Sequence, residues 1–147
     1  MIRIWGDVLK KISVCHLVTL MLCASCSSAP MGAFDCRTLE ASTQSMATML
    51  GEIAKILDTS GTTAQALSNV QTYTQNHKNV INLCSETISR ELQDMTKDEV
   101  MAYHESSIKD ERVRLFLDAQ DRFQKQASGD QIEALEDAAS SLYIFCD

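Results

Sequence analysis

Breakers are almost absent from this chain. Its single proline is Pro30, and beyond residue 35 only Gly51, Gly61 and Gly129 could interrupt regular structure. Runs of β-branched residues are also few. A sequence of this kind builds long helices and has little material for turns or strands. Apolar residues recur at three- and four-residue spacings in four blocks, which sets the expected fold class as all-α.

The first block starts near Asp35 or Cys36 and ends before Ser60-Gly61, a helix stop. Its stripe is Leu39, Met46, Leu50, Ile53 and Leu57. Thr62 or Thr63 caps a second, longer helix that carries Leu67, Val70, Ile81, Cys84, Ile88 and Leu92. Thr96 followed by Lys97-Asp98-Glu99 has the form of a capping box. The third helix is expected to run unbroken to about Ala127, with Met101, His104, Ile108, Leu115, Phe116, Ala119 and Phe123 inward. Ser128-Gly129 ends it, and Asp130 caps a fourth helix with Ile132, Leu135, Ala139, Leu142 and Cys146 inward. Short connections make neighbouring helices antiparallel. The spacing therefore predicts an up-down-up-down four-helix bundle over residues 35–147.

Ahead of that domain the composition is different. Arg3, Lys10 and Lys11 precede the apolar run Ile12–Leu22, and small residues follow it. That order is the mark of a secretory signal, and the run is too short for a membrane span, which needs ~20 residues. Residues 1–25 are read as a signal peptide and residues 26–34 as a flexible tether. The box Cys23-Ala-Ser-Cys26 resembles the cleavage site of bacterial lipoprotein precursors, with Cys23 where leucine is usual. The resemblance covers the first 26 residues and implies a lipid on Cys26, which would become the N-terminus. With Ser27 next, it also implies an outer-membrane lipoprotein facing the periplasm. Ordinary cleavage would instead release a periplasmic or secreted chain.

The whole chain carries a formal charge of -7. Losing residues 1–25 removes three bases and one acid, leaving 122 residues at about -9. Such a surface repels phosphate backbones, so nucleic acid is not an expected partner. It offers anionic headgroups no polybasic patch, so membrane attachment would come through the N-terminal lipid.

Export places Cys36, Cys84 and Cys146 where disulfides form. Height along the bundle decides which can meet. Cys36 lies 22 residues before Asp58 and Cys84 lies 22 after Thr62, so both sit ~33 Å from the turn that joins their helices. Cys146 reaches only ~22 Å up the fourth helix. Cys36–Cys84 is the best-matched bridge and Cys36–Cys146 the alternative. Cys84–Cys146 would cross the bundle diagonal. With Cys26 acylated one thiol is left over, either buried or joining two chains as a disulfide-linked homodimer.

Candidate chemistry is sparse. His77 and His104 differ by 11 residues in height from the turn near Thr96, ~16 Å, which rules against a shared metal. There is no Cys-x-x-Cys-His for covalent haem, and no other cofactor is expected. Cys84 and His104 come within ~6 Å in height, so a free Cys84 would make a thiol enzyme the alternative reading. Nothing supplies an oxyanion hole or a third orienting group, and no catalytic residue is assigned. Arg112 beside Phe116 and Leu117 would form a partner-binding patch if either apolar residue faced outward. The expectation is a non-catalytic protein that binds another envelope or secreted protein. In size, export and helix content it resembles secretion pilotins and small helical immunity proteins.

Overall fold

A computed structural model of the chain describes residues 34–145. The expected signal peptide, the lipidation site Cys26 and the third cysteine Cys146 lie outside the described residues. Five helices follow one another: α1 Leu39–Thr59, α2 Thr63–Gln93, α3 Lys97–Ile108, α4 Glu111–Gln124 and α5 Gly129–Ala139. A 3-10 segment, Ser140–Phe145, continues from α5. There is no strand among the described residues.

Side-chain caps explain most helix starts. Thr38 Oγ1 accepts from Ala41 N–H at 3.2 Å, and Thr62 Oγ1 accepts from Gln65 N–H at 3.2 Å. The Thr96–Glu99 capping box is formed, with the Glu99 carboxylate accepting from Thr96 N–H at 2.8 Å. Each such cap satisfies N–H groups that the first helical turn leaves without a partner. The last start differs from expectation. Ser128, not Asp130, is the N-cap of α5, and Gln131 Oε1 reaches back to its N–H at 3.1 Å.

The single third helix expected from the spacing is two helices. The chain turns at Lys109–Asp110, and the Asp110 carboxylate caps α4 by accepting from Arg112 N–H at 2.9 Å. Ser107 weakens the helix just before the break, its hydroxyl donating back to Tyr103 O at 2.9 Å. The break rotates the faces. Met101 is 53% exposed, Ile108 43% and Leu115 48%, all three expected inward, while Ser107 is buried in their place.

Met46, Met49, Leu50 and Ile53 of α1 run through the centre of the core. Val70, Cys84 and Ile88 of α2 meet them, with Val113 and Phe116 of α4 and Leu135, Ala139 and Leu142 of the C-terminal part. Burying each of the larger side chains stabilises the fold by ~1.5–3 kcal/mol before entropy is counted.

Helix order round this core is not that of sequential neighbours. α1 packs on α2 and on α4, while α2 packs on α5. Arg112 reaches Thr48, and Arg122 reaches Asp58 at 2.9 Å, so α4 runs beside α1 in the same direction. Thr63 donates to Gln131 at 3.2 Å, and a surface cleft joins Thr74 and Lys78 to Asp137 and Ser141, so α5 runs parallel to α2. The break after α3 makes this possible. α3 serves as a connection that carries the chain from α2 across to the far flank of α1.

The bridge favoured by height is present. Cys36 and Cys84 are disulfide-bonded with Cα atoms 4.6 Å apart. Cys36 is not helical, as had been expected, but sits in a five-residue lead-in before α1. That lead-in is held on both sides. Thr87 Oγ1 donates to Cys36 O at 2.9 Å from α2. Ser45 of α1 accepts from Asp35 N–H and donates to Asp35 O, both at 2.9 Å.

Candidate functional site

α3 lies against the start of α1 without filling the space between them. The result is a surface groove of about 500 Å³. Leu39 and Ala47 of α1 and Val113 of α4 supply its apolar floor, and Tyr103, Ser106 and Lys109 form its far wall. Across it the Tyr103 and Thr43 hydroxyls lie 2.9 Å apart. Thr43 also donates to Leu39 O at 2.7 Å, so the Tyr103 hydroxyl is the donor in the shared bond. Burial pushes the Tyr103 phenol above its ordinary pKa.

Beside the groove, Arg112 ties the start of α4 to α1. Its guanidinium bonds the Asp110 carboxylate at 2.6 and 2.9 Å, Thr48 Oγ1 at 2.8 Å and the Gln44 side chain. The Asp110 carboxyl is held below the usual carboxylate range chiefly by the Arg112 hydrogen bonds. Close helix approach permits this reach. A Cβ placed on Gly51 of α1 would lie 3.3 Å from Arg112 Cβ.

This arrangement alters the patch expected from the sequence. Phe116 is 1% exposed and belongs to the core, and Leu117 is half-buried against it. Arg112 is engaged in holding α4 to α1 and does not project towards a partner. The break at Lys109–Asp110 sets this phase, turning Leu115 outward instead. Asp110 takes Arg112, and Arg122 takes Asp58 of α1.

The Cys84 sulfur is in the disulfide and fully buried, so in this state there is no thiol beside His104 to act as a nucleophile. His104 packs its ring edge-on to Tyr103 at 5.6 Å. Its Nδ1 is enclosed without a hydrogen-bond partner. His77 is tied elsewhere, its Nδ1 2.9 Å from Tyr73 O and its ring 4.3 Å from that of Tyr73. Among the described residues, no three His, Cys, Asp or Glu side chains are placed to share a metal ion.

The sequence reading missed the groove because it depends on the α3–α4 break. Ser106-Ser107 ahead of Asp110-Glu111, an N-cap residue followed by a first-turn acid, was the available signal. Neither a scan of protein-family models nor searches of curated proteins and solved structures found a match to this chain.

Proposed function

We propose that this is a small exported helical protein, lipid-anchored through Cys26, that binds another envelope or secreted protein in the groove between α1 and α3. The groove carries the reading. Its floor is apolar, its rim is polar, and it opens to solvent between α1 and α3. An apolar floor with a polar rim suits a protein segment with one or two apolar anchors. The charge of about -9 left after loss of residues 1–25 favours a segment that is basic around those anchors.

The Cys36–Cys84 bridge supports the export half of the proposal, since such bonds persist in oxidising compartments. Outer-membrane attachment facing the periplasm rests on the residues around Cys26, and a Cys26→Ala variant should then leave the membrane fraction. Unchanged fractionation would refute the anchor. For the groove, Ser106→Arg blocks the opening from an exposed position with little effect on folding. A tagged chain should recover a stoichiometric partner from envelope extracts, Ser106→Arg should lose it, and Glu133→Arg on exposed α5 surface should keep it. Equal recovery by all three would rule the groove out.

A further inference from the structure

We infer that α3 is a hinged flap, latched to α1 by the Tyr103–Thr43 hydrogen bond, whose opening uncovers the floor of the groove. Three observations carry this. First, α3 is the least embedded helix: of its 12 residues only Ser107 is buried, and no apolar side chain is. Its packing onto α4 and the 3-10 segment is slight compared with the contact α1 makes with α2 and α4. Second, both ends of α3 are breaks. Asp94–Met95 precedes its cap, and Lys109–Asp110 follows its last turn, so a rotation at these two points moves α3 without disturbing α2 or α4. Third, what lies under it is apolar and buried while α3 is closed. Ala47 is 2% and Val113 1% exposed, and both line the groove with Leu39.

Opening therefore trades the Tyr103–Thr43 hydrogen bond and the packing of Tyr103 for access to an apolar strip on α1. Elements with so few buried apolar contacts open at free energies well below that of global unfolding. A 12-residue helix is marginal in water without tertiary support, so α3 frays when it swings out and its amides exchange. The Thr96–Glu99 box favours rapid re-formation on closing.

Amide hydrogen exchange of the full chain without a partner tests this independently of whether the groove is the binding site. Peptides covering 97–108 should exchange about a hundredfold faster than those covering the α1 core, Met46–Ala54. Tyr103→Phe removes the latch, and Thr43 keeps its bond to Leu39 O. It should accelerate exchange in 97–108 about fivefold and leave α1 unchanged. Thr43→Val, which cuts the same bond from the α1 side, should do the same. Tyr73→Phe on α2 should leave 97–108 as it was. Exchange of 97–108 at the rate of the α1 core would overturn the flap. Acceleration spread equally over all helices by Tyr103→Phe would overturn the latch.

Discussion

Removing the disulfide by Cys36→Ala with Cys84→Ala should cost this domain about 4 kcal/mol. The bond closes a loop of sequence separation 48. Loop-closure entropy for a loop of that length is about 14 cal/mol/K, which gives the figure at 25 °C. The folded state should change little, because the lead-in keeps its bonds from Thr87 and Ser45. The loss therefore acts through the unfolded chain, which gains conformations that the bridge forbids. At about 4 °C per kcal/mol for a domain slightly over 100 residues, the melting temperature should fall by about 16 °C. Urea titration followed by circular dichroism at 222 nm measures both the midpoint and the slope. The slope should rise as the unfolded ensemble expands. Native helix content should be unchanged. A loss below about 1 kcal/mol with an unaltered slope would refute this reasoning.

Three further outcomes follow from named contacts. Gly51→Leu forces a side chain into the space held by Arg112 and should destabilise the domain by about 1–3 kcal/mol in the same titration. Arg112→Met removes the bonds to Asp110, Thr48 and Gln44 and should lower stability by about 1–2 kcal/mol, after allowing for a guanidinium 34% exposed. Burial, with a contribution from Glu52, pushes the Tyr73 phenol up to about 12. A raised phenol pKa favours the neutral form in the fold. That stability is present below the ordinary tyrosine value of about 10 and is lost as pH rises towards 12. Ultraviolet titration should show the phenol near 12 in wild type and lose it in Tyr73→Phe, which keeps the raised Tyr103 phenol.

Helix content and the staple were legible from sequence because each depends on local signals. Thr62 and Thr96 cap where spacing places them, and equal distances of Cys36 and Cys84 from one turn bring them together. The Lys109–Asp110 break was masked. The apolar spacing from Met101 to Phe123 reads as one helix and outweighs the weak cap signal of Ser106-Ser107 and Asp110-Glu111. What fixes the break is Asp110 capping α4 while Arg112 ties that end to Thr48 and Gln44 of α1, a tertiary contact. Everything downstream of it was lost with it: the parallel placing of α4 beside α1, the inward phase of Phe116, the exposure of Met101 and Ile108, and the groove itself.

Site-specific photo-crosslinking in the native cell tests the central claim most directly. With the photoreactive residue at position 106 on the α3 wall or 40 on the α1 side of the groove, we expect one discrete protein adduct. Position 133 on exposed α5 surface should give none. The same adducts from all three positions, or none at 106 where the probe lines the groove, would contradict partner binding between α1 and α3.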